Sequence, residues 1–155
     1  MSGRRCESRR AFLVASHGGH WVQLRRLAPA FEDMDVWYVT TTAKVREEVA
    51  PAPVLIVPDA NLNEKLRLLL LAGRMLWLTL RYRPRVVMST GAAPGFFALM
   101  FGKLIGARTI WVDSLANAER MSVSGAKVRP FADLWLTQWP EVASPFGPFY
   151  KGAVI

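Results

Sequence analysis

From residue 11 onward, short apolar runs alternate with helix-patterned stretches, and this alternation restricts the fold more than any other feature of the chain. "AFLVAS" (11–16) is a short apolar run that stops at two glycines, as a buried strand does. "DVWYVTT" (35–41) is rich in β-branched and aromatic residues, and "PVLIVP" (53–58) lies between prolines. "RVVMST" (85–90), "RTIWVDS" (108–114) and "DLWLTQW" (133–139) bring the expected strands to six. Helices are expected over about 20–31, across "AKVREEVA" (43–50), over 61–84 with a capping Asn and a terminating Pro, and over 95–106. A further helix is expected across "GAKVRPFA" (125–132), broken or started near Pro130. The tail after Trp139 is Pro/Gly-rich and does not read as a completed helix. Strict β-α order with apolar strands predicts an α/β fold, a Rossmann-like doubly wound parallel sheet covered on both faces.

The 155 residues predict one domain (11–155) behind a polar, basic leader (1–10), with no repeat or interdomain linker. The leader is charged, but the apolar run behind it is too short for a signal-peptide core, so secretion is not expected. The single cysteine, Cys6, excludes an internal disulfide and fits a reducing compartment. Twenty Lys+Arg against twelve Asp+Glu give a net charge of +8, which predicts an anionic partner: nucleic acid, a membrane surface or a phosphorylated substrate. No nucleic-acid reader motif is present, and much of the basic charge adjoins a leucine-rich helix, so nucleic acid is not the expected partner.

In doubly wound sheets ligands bind at the carboxyl ends of the strands. Three of these ends are polar or glycine-rich: "SHGGH" (16–20), "STGAAPG" (89–95) and "DSLANAER" (113–120). The first two place glycines just before a helix, where free N–H groups and the helix dipole favour phosphate. Each alone is equally a tight βα turn. "HGGH" lacks the G-x-G-x-x-G spacing and no G-x-x-x-x-G-K-[ST] occurs, so no nucleotide cofactor is indicated. These residues demand no metal.

The helix expected over 61–84 carries Arg67, Arg74 and Arg81 on one face, seven residues apart. Leucines, Met75 and Trp77 surround them. The arginines interrupt the apolar run too often for a transmembrane span. Two readings stand: a helix buried on a sheet face with a thin basic edge, or an interfacial helix. We favour the second, with Arg67, Arg74 and Arg81 at lipid phosphates and Trp77 in the headgroup zone; Arg83 and Arg85 extend the basic patch.

The stretch 89–141, with its Ser-Thr-Gly and nearby Pro-Gly, its acidic-Ser pair, "SVSGAKVRPFAD" and "QWPE", resembles the Alg-fourteen family. The early Gly-Gly-His and the terminal "FYKGAVI" extend the resemblance over 11–155. These proteins are acceptor-side, membrane-associated subunits of two-part glycosyltransferases. Two departures stand out: the acidic residue is Asp113 where the family usually has Glu, and "LANAER" replaces a more aromatic, Arg-bearing pattern. A counterpart of the eukaryotic members' amino-terminal anchor is not expected here, and that expectation favours a bacterial type acting in polysaccharide assembly.

The resemblance implies the amino-terminal half of a GT-B glycosyltransferase, with the donor-binding half on a separate subunit. It implies transfer from a nucleotide-sugar, UDP-linked in the expected case, to a polyprenyl-diphosphate-linked saccharide, with inversion. The expected location is peripheral, at the cytoplasmic face of the plasma membrane. Gly18 and Gly19 are expected to offer N–H groups to the acceptor diphosphate, and Ser89, Thr90 and Gly91 to line the neighbouring loop. Asp113, Ser114 and Asn117 are expected at the acceptor sugar. Inverting transfer needs a base for the acceptor hydroxyl, and His20 matches the family's histidine; imidazole titrates near neutrality and suits that task. Two other roles stay open: His20 orients the first helix while binding diphosphate, or Asp113 is the base. His17 is expected to be a strand-end residue only. Trp139, Pro140 and Glu141, with Phe149 and Tyr150 of the 140–155 tail, are expected to shape the docking surface for the partner. A non-catalytic membrane scaffold that recruits the donor subunit is the competing function.

Overall fold

The computed structural model describes residues 9–155; Cys6 and most of the basic leader lie outside the described residues. Seven parallel strands form one sheet: β1 (Arg10–Ala15), β2 (Asp35–Thr40), β3 (Val54–Ile56), β4 (Val86–Gly91), β5 (Arg108–Val112), β6 (Leu134–Thr137) and β7 (Phe149–Tyr150). Their spatial order is β3-β2-β1-β4-β5-β6-β7, so the chain order reverses between β1 and β4. The helices are α1 (Gly19–Leu27), α2 (Arg46–Val49), α3 (Lys65–Tyr82), α4 (Ala92–Leu104) and α5 (Val123–Lys127).

Strand alternation divides the core between two faces. Phe12 and Val14 of β1, with Val39, Val87 and Trp111, meet Leu71, Met75 and Leu78 of α3 and Ala98 and Leu99 of α4. Leu13 and Ala15, with Tyr38 and Met88, meet Trp21 and Leu24 of α1, Val49 of α2 and Val45 just before it. A sheet buried on both faces explains why the strands read as continuous apolar runs.

Several boundaries differ from the sequence expectation. Arg10, assigned to the leader, opens β1: its Nη1 donates to the Tyr82 carbonyl at 2.8 Å and its guanidinium lies 4.5 Å from the Trp37 ring centre. α3 begins at Lys65 rather than residue 61, because Asn61 does not cap it. Its Oδ1 instead accepts the Asn63 N–H at 2.9 Å, a local turn that competes with helix entry. α4 begins at Ala92, three residues early, because Pro94 sits in the first turn, where its missing N–H costs nothing. α5 ends at Lys127, and Pro130 lies in a separate 3-10 turn (Arg129–Phe131). The tail adds the unforeseen β7, which pairs parallel to β6 through Leu136↔Phe149 and Thr137↔Tyr150. Two residues are too few to carry a periodic signal.

Candidate functional site

The chain reversal between β1 and β4 opens a crevice where the loops after the two strands part. Gly18, with φ 78°, turns the chain out of β1, and α1 starts at Gly19. His20 therefore stands in the first turn of α1, beside the end of β4. Across these strands the pairing passes from Val14↔Ser89 to Ala15↔Gly91, so Thr90 is an extra, bulged residue. The bulge aims Thr90 at His20 twice. The Thr90 hydroxyl donates to the His20 carbonyl at 2.6 Å, and the His20 Nδ1 lies 3.1 Å from the Thr90 carbonyl. A carbonyl only accepts, so Nδ1 carries the proton and Nε2 is the unprotonated nitrogen of the neutral ring. Gly91 makes this approach possible: at φ 149° it has left-handed backbone, and a Cβ there would overlap the imidazole.

The loop after β5 forms the opposite wall. Asp113 is buried, and its carboxylate is already engaged. Its Oδ1 accepts from the Trp111 indole (3.0 Å) and the Ser122 hydroxyl (2.6 Å), and its Oδ2 from the Ser122 N–H (2.8 Å). Ser122 caps α5 by accepting the Gly125 N–H at 2.9 Å. Asp113 thus fixes the entry to α5 from below. Ser114 is held by Gln23 of α1, whose Nε2 donates to its Oγ at 3.1 Å.

These walls enclose an open cleft of about 340 Å³ lined by Gly19, His20, Ala92, Ser114, Ala116, Asn117, Ser122, Val123 and Ser124. Four residues expected at the site, Gly19, His20, Ser114 and Asn117, therefore meet in one place. Gly18 flanks it, exposed at the cap of α1. Ser89, Thr90, Gly91 and Asp113 lie behind the lining and shape it: Ser89 Oγ accepts the Gly91 N–H at 3.1 Å. His17 stands outside, exposed, with Nδ1 3.0 Å from Thr41 Oγ1 and 3.8 Å from Asp59 Oδ2.

Sequence reasoning missed Ser122, Ser124, Gln23 and Gln138. "SVSGAK" carries a helix-start signal in Ser122. Gln138 stands in "QWPE" without any local sign of its role, and nothing local marks Gln23; their partners lie 16 to 115 residues away in sequence. Among the described residues no group of His, Cys, Asp and Glu could hold a metal ion.

The remaining expected residues lie elsewhere. On α3, Leu71, Met75 and Leu78 face the core, while Leu66, Leu69, Leu70, Trp77 and Leu80 are exposed, Leu69 by 70% and Trp77 by 52%. Arg67, Arg74 and Arg81 border that outer apolar stripe, and the Arg74 guanidinium lies 5.1 Å from the Trp77 ring centre. No described helix is long and apolar enough to cross a membrane. At the other edge of the sheet, Trp139 turns its indole inward and donates to the Leu115 carbonyl at 2.8 Å. Pro140, Glu141, Phe149 and Tyr150 are exposed there.

No family model matches the chain. It is 38% identical over 72 residues to the UDP-N-acetylglucosamine transferase subunit ALG14 of Yarrowia lipolytica, covering 43% of this chain and 33% of that protein. It is 35% identical over 52 residues to the Schizosaccharomyces pombe protein of that name, covering 34% and 24%. The matches thus span a third or less of these relatives' length, and they support the Alg14 family. Among solved structures, Acinetobacter baumannii MurG superposes with a TM-score of 0.73 at 11% identity, covering 94% of this chain and 45% of that one. A UDP-N-acetylglucosamine 2-epimerase gives 0.68 at 11% identity, covering 87% and 43%. At such identities the likeness concerns the fold: a Rossmann-like α/β sheet of the kind found in GT-B glycosyltransferases such as MurG.

Proposed function

We propose that this chain, a relative of ALG14 subunits, is the acceptor-binding and membrane-attaching subunit of a two-part inverting glycosyltransferase. A separate subunit brings the nucleotide-sugar, UDP-linked as the relatives' name suggests. The acceptor is a polyprenyl-diphosphate-linked saccharide in polysaccharide or glycan assembly. One observation carries this reading: His20, held in its Nδ1–H form by the bulged Thr90, shares a cleft with Gly19, Ser114 and Asn117 at the strand reversal.

The chemistry follows from that arrangement. The acceptor diphosphate sits at the start of α1, where the N–H groups of the first turn lack helical partners. Asn117 and the serines of the loops after β5 hydrogen-bond sugar hydroxyls. Nε2 of His20 takes the proton of the acceptor hydroxyl as that oxygen attacks the anomeric carbon of the donor sugar. The nucleoside diphosphate leaves from the opposite face of the sugar, which inverts the configuration. The Nδ1–H bond to Thr90 strengthens as the ring becomes cationic. Asp113, with both oxygens occupied by Trp111 and Ser122, serves as a support for α5 in this scheme. The outer stripe of α3 rests on the membrane, with Arg67, Arg74 and Arg81 at the phosphate level, and brings the cleft to its lipid-borne acceptor.

The decisive assay is the His20→Ala variant, combined with the donor-binding subunit and a polyprenyl-diphosphate sugar. General-base catalysis contributes about 10²–10⁴-fold, so turnover should drop by at least about 100-fold while the variant stays folded. Turnover near that of the unaltered chain removes His20 from the base role.

A further inference from the structure

The geometry points to Gln23 and Gln138 as positioning residues that couple the carboxyl-terminal tail to the wall of the cleft. Both side chains are buried, Gln138 to 2% exposure. Nε2 of Gln138 donates to Oε1 of Gln23 at 2.7 Å and to the Asp113 carbonyl at 2.8 Å. Its Oε1 accepts the Val154 N–H at 2.8 Å. Oε1 of Gln23 also accepts the Leu115 N–H at 3.1 Å, while its Nε2 donates to Ser114. Backbone N–H groups only donate, so Val154 and Leu115 fix which way each amide faces.

Two peptides are gripped by this network. Leu115 is held at its N–H by Gln23 and at its carbonyl by the Trp139 indole. Val154 is held at its N–H by Gln138 and at its carbonyl by Arg26 Nη1, at 3.2 Å. The residues flanking Leu115 are Ser114 and Ala116, and with Asn117 they line the cleft. If the Val154 N–H is withdrawn while the tail still covers the site, the buried Oε1 of Gln138 loses its donor, and a buried acceptor without a partner is costly. The amide then loses the constraint on its orientation, and the support of Gln23, Asp113 and the 113–117 loop weakens with it. A partner that engages the tail therefore alters the acceptor wall without touching it. The functional meaning of this coupling rests on the reading of the cleft as the acceptor site; the coupling itself does not.

Val154→Pro tests it in the full chain, since it removes one N–H and leaves every buried side chain intact. Amide exchange is read residue by residue. At Leu115 exchange should quicken about tenfold, the scale of one lost hydrogen bond with its stranded partner, while Phe12–Val14 in β1 stay unchanged. Val154→Leu keeps the N–H and should match the unaltered chain. Gln138→Glu keeps an acceptor for Val154 but loses the donor to Gln23 and Asp113, so it should loosen Leu115 with Val154 still protected. Unchanged exchange at Leu115 in Val154→Pro overturns the coupling, as does a uniform rise that includes β1. Turnover with the donor-binding subunit is measured in parallel. If the unaltered chain supports none, the glycosyltransferase reading fails, and the exchange pattern still decides the coupling.

Discussion

At the residue scale, the pair His20 and Gly91 sets what the site tolerates. The imidazole lies where a Cβ of residue 91 would be, so the ring is seated on backbone rather than on a side chain. Gly91→Ala forces both a left-handed backbone that alanine resists and an overlap with the ring. The expected cost is about 2–3 kcal/mol in thermal or denaturant unfolding, of the order seen for strained backbone plus overpacking. The ring should also leave Thr90, which appears as a changed Nδ1/Nε2 tautomer signature in nitrogen NMR of His20. Retention of both stability and tautomer would mean that the crevice has more room than the backbone geometry gives it. The "HGGH" and "STG" stretches are conspicuous in the sequence, and so were legible as candidates. Their mutual hydrogen bonds were not, because they join residues 70 apart and depend on a bulge at Thr90 that only the pairing of β1 with β4 creates.

At the element scale, α3 and the end of α4 behave in opposite ways. α3 is apolar on its inner and outer faces, yet only the inner one contributes to folding. Leu71→Ala should cost about 2–5 kcal/mol because it opens a cavity against β1 and α4. Leu69→Ser with Trp77→Ser should shift stability by about 0.5 kcal/mol per site or less, as surface changes do, but should weaken flotation with anionic vesicles. Equal flotation of the double variant and the unaltered chain would end the membrane role of α3. Lys103 near the end of α4 clamps Asp133 at the entry to β6, and the Thr109 N–H adds a bond to the same carboxylate at 3.0 Å. The Lys103 hydrogen bond leads in holding the Asp133 carboxyl below its ordinary value of 3.8. A lowered folded-state value means that this stabilisation is complete above the unfolded value and fades as acid protonates the folded carboxylate. Asp133→Asn should therefore lower Tm at pH 7, and the gap should close as the pH is taken well below 3.8. A gap that persists at low pH would assign the loss to packing instead. The six longer strands were legible because each is a short apolar run with turn residues at its ends, and the main helices because they fill the stretches between those runs. The two-residue β7 was not, since only the β6 edge and the grip on Val154 define it.

At the scale of the whole molecule, one Rossmann-like sheet offers a cleft that is open along one side. Its floor is the end of the sheet, and its walls are α1, the start of α4 and the loops after β5. Sugar transfer requires a donor fixed in line with the attacking hydroxyl and shielded from water. Among the described residues, the cleft of about 340 Å³ is open on the side where a nucleotide-sugar would lie over the acceptor's polar head. On this reading the second wall comes from the donor-binding subunit, and the exposed edge formed by Phe149 and Tyr150 is where that subunit docks. The purified chain alone should therefore leave a radiolabelled UDP-sugar untransferred to a polyprenyl-diphosphate saccharide. Adding the donor-binding subunit should restore transfer. Phe149→Asp with Tyr150→Asp should raise the concentration of that subunit needed for half-maximal rate by about tenfold or more, the loss of roughly one interface anchor, with the rate at saturation little changed. Transfer by the chain alone would sink the two-part mechanism. A double variant indistinguishable in that titration would move the docking surface away from the β7 edge while leaving the cleft chemistry as argued.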